Sequence, residues 1–487
     1  MVDSLRYKTL LALSWSFLES VGMRGVQFIV GIVLARLLMP EQFGLIGMLT
    51  IFIIVAQSFI DSGFVAALIQ KRDASHIDIC SIFYFNIIVG IAAAGLLCLI
   101  APYIAAFYNQ PILTPLTRVL SLTIVINSFG LIQNALLRKI IDFKTQTKVT
   151  LIASVPSGIV GIAMAVAGFG VWSLAIQQIS SALFRTIFLW FFNTWRPALI
   201  FSFKALRGMF GYGSRLLVSG LLDTVFDNIY LLVIGKLFSA ADLGFFTRAQ
   251  TINEIPSYSL SGTVGRVTFP VFSTLQEEPA RLKRGVKKAL TTLVLVNFPM
   301  MIGLALVARP LVLVLLTEKW APCIPYLQLL CMVGLLFPLC AMNVNVLQAM
   351  GRSDLILRLG IINKALVVIS IAITYRWGIE AMIYGQIAVS IFSYYLNSYY
   401  NGVLIGYPIK EQLADLSSYL IMAIVMGLAV YIVGHVPLPN LWSLLLVQIT
   451  AGFIVYICLC RLFKLPAFLE LWQAGWKRVS FPKTGTV

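Results

Sequence analysis

Histidine is nearly missing from this 487-residue sequence, with only His76 and His435 present. The seven cysteines (Cys80, Cys98, Cys323, Cys331, Cys340, Cys458, Cys460) form no CxxC pair. A His/Cys metal centre therefore has almost no ligands to draw on, and no metal site is expected. The cysteines sit mostly in apolar runs and read as small core residues. Charge is scarce as well: charged residues make up 11% and hydrophobic residues 60%, against soluble norms of about 25% and about 45–50%. With a mean hydropathy of +0.93, no stretch is polar enough to form a separate soluble catalytic domain. The chain reads as an all-α polytopic membrane protein.

Acidic residues number 19 against 36 Lys and Arg, a net charge of +17. In a soluble chain that excess would raise the question of nucleic acid. In a hydrophobic chain it marks cytoplasmic loops, so no nucleic-acid partner is expected. A cleavable signal is not evident, because the first apolar run is too long and many more follow.

A membrane span needs about 20 apolar residues to cross the hydrocarbon. Fourteen runs qualify, at about 11–36, 44–68, 79–107, 115–137, 149–167, 171–192, 214–235, 248–273, 289–315, 324–349, 355–375, 379–402, 416–434 and 440–462. The eighth is the weakest, since it holds Asn253, Glu254, Pro256 and Arg266. Alternate connections hold 24 and six basic residues, a bias that places both termini in the cytoplasm. No connection on the opposite face exceeds about fifteen residues, which argues against a membrane enzyme such as a glycan polymerase or ligase.

The chain also repeats itself. LARLLMPEQFGLIGM at 34–48 matches IGKLFSAADLGFFTR at 234–248 with an offset of 200, which sets Arg36 over Lys236 and Gly44 over Gly244, with Glu41 within one position of Asp242. GVWSLAIQQI at 170–179 echoes GIEAMIYGQI at 378–387. The predicted architecture is two pseudo-symmetric six-helix bundles, 1–200 and 201–410, followed by two further helices and a cytoplasmic tail at 411–487. Six spans per copy give parallel repeats, which suit alternating access.

Polar residues at helical spacing supply candidate cavity positions. Helix one carries Arg24 and Gln27, helix seven Asp223 and Asp227, helix eight Glu254, Tyr258 and Arg266, and helix eleven Lys364. By rise, Arg24, Asp223 and Asp227 lie about 15–20 Å into the bilayer, too deep for lipid exposure. These eight residues are the expected lining of a hydrated cavity. Alternatively, Arg24 pairs with Asp223 or Asp227 to lock the halves together. Two carboxylates at i and i+4 repel, and one retaining a proton would suit ion coupling, to H+ or Na+. Arg36, Glu41, Lys236 and Asp242 read either as a salt-bridged outer gate or as turn residues beside Pro40 and Gly44.

LARLLMPEQFGLIGM, SFIDSGFVAALIQKRDAS at 58–75, LLRKIIDFKTQ at 136–146 and GFGVWSLAIQQI at 168–179 together resemble the colanic-acid-exporter and O-antigen type of polysaccharide flippase. That group belongs to the multidrug/oligosaccharidyl-lipid/polysaccharide superfamily. The resemblance implies a MATE-like fold and a bacterial inner-membrane transporter, not an enzyme, that flips polyprenyl-diphosphate-linked oligosaccharide without a bound cofactor. Ion or membrane-potential coupling is compatible with it. Implied partners are the lipid-linked substrate, membrane lipids and the polymerase or glycosyltransferase machinery. By helix and depth, Arg24 and Arg266 would hold the diphosphate, whose charge suits the arginine fork. Two other readings of the chain are a cation-coupled small-molecule or drug antiporter of the same superfamily, favoured by the acidic residues, and a scaffold for a polysaccharide-synthesis complex.

Overall fold

In a computed structural model of the chain, the residues described are 22, 25–60, 65, 67, 68, 71, 73–140 and 142–479. All the regular structure among them is helical, as it must be where hydrocarbon offers no partners for free backbone groups. α1 is Gly25–Leu37, α2 Pro40–Ile60, α3 His76–Tyr108, α4 Leu113–Leu120, α5 Leu122–Lys139, α6 Phe143–Val166, α7 Val171–Phe192, α8 Phe203–Asp227 and α9 Ile229–Leu237. There follow α10 Ala240–Thr274, α11 Pro279–Leu316, α12 Cys323–Ala349, α13 Ser353–Thr374, α14 Ile379–Ile405, α15 Ile409–Val433, α16 Leu441–Leu462 and α17 Pro466–Val479.

Among the described residues ten helical segments are long and apolar enough to span a membrane. The fourteen apolar runs of the sequence all meet helix, but not all pass as spans. α8, α10 and α14 have spanning length without being among the ten. α10 carries Asn253, Glu254 and Arg266 within its length. The seventh run is divided: α8 stops at Asp227, Asn228 turns (φ −107°) and donates its amide to Thr224 O at 2.9 Å, and α9 resumes. α17 adds a helix in the tail, where the sequence shows no further apolar run.

The duplication is visible in how helices stop and start. Leu38 N bonds Leu34 O at 2.8 Å, and Phe238 N bonds Ile234 O at 2.9 Å. α3 ends at Asn109 (φ 54°) and α11 at Thr317 (φ 83°), each seven residues beyond a proline, Pro102 and Pro310. Ile140 N to Leu136 O (3.1 Å) has its counterpart in Met350 N to Val346 O (3.0 Å). Gly170 and Gly378, at φ 57° and 94°, precede α7 and α14. Left-handed backbone of this kind favours glycine. These matches cover the length of the six-helix repeat with an offset that drifts from 200 to 210.

Two compact units result, Met1–Thr247 and Arg248–Val487. The boundary between them falls inside α10, whose first turns pack with α2. In the first unit Phe83 sits in an aromatic nest, its ring centroid 6.0 Å from Trp190 and 5.7 Å from Trp195. The second is built on α11, whose Leu282, Val286, Leu290 and Val294 are fully buried against α12, α15 and α16.

A buried polar network ties α12, α14 and α15 of the second unit together. Gln412 Oε1 accepts from Asn343 Nδ2 (3.3 Å) and the Tyr394 hydroxyl (3.1 Å), and its Nε2 donates to Tyr407 O (3.0 Å). Burial and the neighbouring Asp415, which accepts from its hydroxyl at 2.9 Å, raise the Tyr407 phenol far above its usual range and keep it a donor. Around the network run Lys283 to Glu411 (2.6 Å), Lys287 to Asp415 (2.6 Å) and Lys288 to Glu470, half-exposed pairs that fasten α15 and α17 to α11. Gln412→Leu leaves two donors unpartnered and should cost about 2–4 kcal/mol, measurable as a lower unfolding temperature in detergent. An unchanged melting point would show the network to be dispensable.

Candidate functional site

The strongest constellation in the first unit is the repeated helix–break–helix itself. α1 gives way to α2 across Leu38 and Met39, and α9 to α10 across Phe238 and Ser239. Each second helix is capped the same way. Gln42 Oε1 accepts from Met39 N at 3.1 Å, and Asp242 Oδ2 accepts from Ser239 N at 3.2 Å and Ser239 Oγ at 2.6 Å. Both bonds run from the third helical residue back to the residue before the helix, satisfying a backbone donor that the helix leaves open. Gln42, not Glu41, is therefore the working counterpart of Asp242, and Glu41 is exposed.

The two elements meet through their glycines. A Cβ on Gly44 would stand 1.6 Å from the carbonyl oxygen of Ala240, and a Cβ on Gly244 would stand 2.0 Å from that of Pro40. Ala240 and Pro40 are themselves 200 positions apart, so the first turns of α2 and α10 cross as a pseudo-symmetric pair. Only glycine permits so close an approach. Around the crossing Leu34, Ile234, Met48, Leu243 and Tyr108 exclude solvent, each 8% exposed or less, and Gly235 lies against Met48, Leu243 and Tyr108. The ammonium of Lys236 donates to the Phe107 carbonyl and lies 4.6 Å from its ring centroid. Arg36 is exposed. The crossing thus forms a dry, apolar plug. Lys236 and Asp242 are engaged with Phe107 and Ser239.

The cavity candidates fall in both units. In the first, Asp223, Asp227 and Gln27 are exposed, while Arg24 lies outside the described residues. Asp227 ends α8, 11 residues before the break at Phe238. At 1.5 Å per residue, Asp227 and Asp223 lie about 16–22 Å along the helix path from the plug. In the second unit Glu254, Tyr258 and Arg266 follow one another along α10 at multiples of four. Glu254 accepts from Gln250 Nε2 at 2.7 Å. Tyr258 stacks on Phe337 with centroids 4.3 Å apart and stays 44% exposed, and Arg266 is exposed. The opposite face of α10 is buried: Ser257 Oγ donates to Asn253 O at 2.8 Å, and a Cβ on Gly334 would come within 2.6 Å of Asn253 Oδ1. Lys364 is half-buried on α13. Among the described residues no group of three His, Cys, Asp or Glu converges as a metal site.

The chain superposes on a lipid II flippase, MurJ, in an inward-closed conformation, with a TM-score of 0.71 and 14% identity, covering 94% of this chain and 98% of that one. It superposes on an inward-facing multidrug resistance MATE family transporter of the MOP superfamily with a TM-score of 0.62 and 16% identity, over 78% of this chain and 94% of the other. The fold is therefore the multi-pass helical fold of the MOP transporters. The chain belongs to a family described as polysaccharide biosynthesis protein, whose model matches residues 33–325. Its relatives include the lipopolysaccharide biosynthesis protein WzxC of Escherichia coli K12, 28% identical over 86% of this chain and 82% of that protein. The succinoglycan biosynthesis transport protein ExoT of Rhizobium meliloti is 25% identical over 95% and 94%. The teichuronic acid biosynthesis protein TuaB of Bacillus subtilis is 31% identical over 62% and 63%.

Proposed function

We propose that the protein is a flippase of the bacterial inner membrane that moves polyprenyl-diphosphate-linked oligosaccharide units by alternating access, for polysaccharide export. The observation that carries this reading is a pair of exposed carboxylates, Asp223 and Asp227, on α8, a helix of spanning length, about 16–22 Å along the helix path from a dry plug. Holding a bare charge in hydrocarbon at that depth costs about 2.5–3.5 kcal/mol on insertion scales, so these side chains face water or polar groups. A wet path closed at one end by a glycine crossing is what a polar headgroup needs, since the sugar and diphosphate cannot cross hydrocarbon while the polyprenyl tail can stay in it.

In this reading Arg24 and Arg266 hold the diphosphate through charge-assisted forks of donors. Gln27, Asp223, Asp227, Glu254, Tyr258 and Lys364 line the path. The plug at Gly44 and Gly244, with Arg36, Glu41, Lys236 and Asp242 around it, is the outer gate, both termini being cytoplasmic. A proton or Na+ on the Asp223 and Asp227 pair, or the membrane potential, drives the cycle. The acidic lining also favours a second reading, a cation-coupled small-molecule antiporter, which would confer drug resistance on a sensitive host as a flippase would not.

Deleting the gene should trap lipid-linked oligosaccharide in the cytoplasmic leaflet and abolish the surface polysaccharide, with restoration by the wild-type chain. Normal leaflet distribution in the deletion strain would remove the reading.

A further inference from the structure

A second polar surface lies at membrane depth in the second unit. A cavity of about 170 Å³ opens where α12, α13 and α14 meet, lined by Val344, Leu359, Gly360, Asn363, Ser393 and Asn397 among others. Asn363 lies ten residues inside α13 and Ser393 fourteen inside α14, about 15–21 Å from those helix ends. Ser393 Oγ donates to Asn363 Oδ1 at 2.6 Å. That bond uses the amide oxygen of Asn363 and leaves its two N–H donors for another acceptor. Asn397, 7% exposed, adds a second amide to the wall. Lys364, next to Asn363 in sequence, is half-buried and is not part of the lining.

Little of α13 is covered: 11% of its most apolar window is buried. An amide pair and a hydroxyl facing hydrocarbon would forfeit several kcal/mol of hydration, so this notch meets a polar ligand or water. Its chemistry is neutral, with amide donors and acceptors and a hydroxyl, and it fits an uncharged group rich in hydroxyls better than a diphosphate. Gly360 borders open space, since a Cβ there would meet nothing within 4 Å.

We propose that this notch is a sugar subsite, in which Asn363, Ser393 and Asn397 bond the hydroxyls of one glycosyl residue of the lipid-linked substrate. The inference rests on the flippase reading and adds to it the place where the glycan is read.

Gly360→Leu fills the notch, keeps the Asn363–Ser393 bond and improves helix propensity. Asn363→Ala removes the donors. In lipid nanodiscs, native mass spectrometry would compare binding of bare polyprenyl diphosphate with binding of the polyprenyl-diphosphate oligosaccharide extracted from cells lacking the protein. The wild type should prefer the glycan-bearing lipid. Both variants should lose about tenfold of that preference, the worth of one or two hydrogen bonds, while binding the bare lipid as the wild type does. A wild type without preference, variants that keep it, or variants that lose both lipids equally would each overturn the sugar subsite, the last making the notch a lipid or packing element. A wild type that binds neither lipid would overturn the flippase reading itself.

Discussion

Gly44→Ala should reduce polysaccharide export more than tenfold, and Gly244→Ala should do the same, at unchanged protein levels in the membrane. The added methyl carbon would lie 1.6 Å from the Ala240 carbonyl in one case and 2.0 Å from the Pro40 carbonyl in the other. The obstacle in both is backbone, which cannot rotate away as a side chain would. Forcing extra atoms into close packing costs about 1–3 kcal/mol or more, and the cost falls only on the conformation in which α2 and α10 cross. The variants should therefore fold but close poorly. Gly95→Ala is the control, since a Cβ there meets nothing within 4 Å. Surface polysaccharide, normalised to membrane protein, is the measurement. Wild-type export from Gly44→Ala would show that the crossing takes no part in the cycle.

Arg24→Ala should abolish export while leaving the protein in the membrane. Arg24 is placed by sequence, on the stripe that continues to Gln27 and about 15 Å into the bilayer, where a guanidinium is kept only for a partner or a substrate. If it holds the diphosphate, Arg24→Lys should retain part of the activity and the exchange Arg24→Asp with Asp223→Arg should retain none. If it only pairs with Asp223, the exchange should restore export. Leaflet assays of the lipid-linked precursor separate these outcomes. Full export by Arg24→Ala would remove this residue from the substrate path.

Ten of the spans and the repeat were legible because they are written in long apolar runs and in a fifteen-residue match. Hydrocarbon forces the first into helices, and the Gly44 and Gly244 contact preserves the second. The role of the charged residues near that match was harder to read. Lys236 and Asp242 suggest an ion pair in sequence, yet one is engaged with the Phe107 carbonyl and the other with a helix cap. Local capping competes with any longer pairing for the same oxygens. The one-place slip between Glu41 and Asp242 has the same origin, since the counterpart that matters is the one at the capping position. α17 was missed because a 14-residue amphipathic helix gives no span signal. Its place depends on distant partners, such as Tyr419, whose hydroxyl accepts from Ala467 N at 3.4 Å. The notch of Asn363, Ser393 and Asn397 was invisible for a similar reason: its residues come from two helices, and nothing in either helix alone marks them as neighbours.

The crossing at Gly44 and Gly244 has the logic of a twofold dimer contact, in which residue i meets j and j meets i, carried within one polypeptide. Positions outside the contact are free to drift apart after duplication, as Met39 and Ser239 or Gln42 and Asp242 have done while keeping one bond geometry. The two glycines have no such freedom, because enlarging either one displaces the backbone on which the other rests. The ancestral symmetry thus survives in this chain as a constraint held jointly by two distant codons.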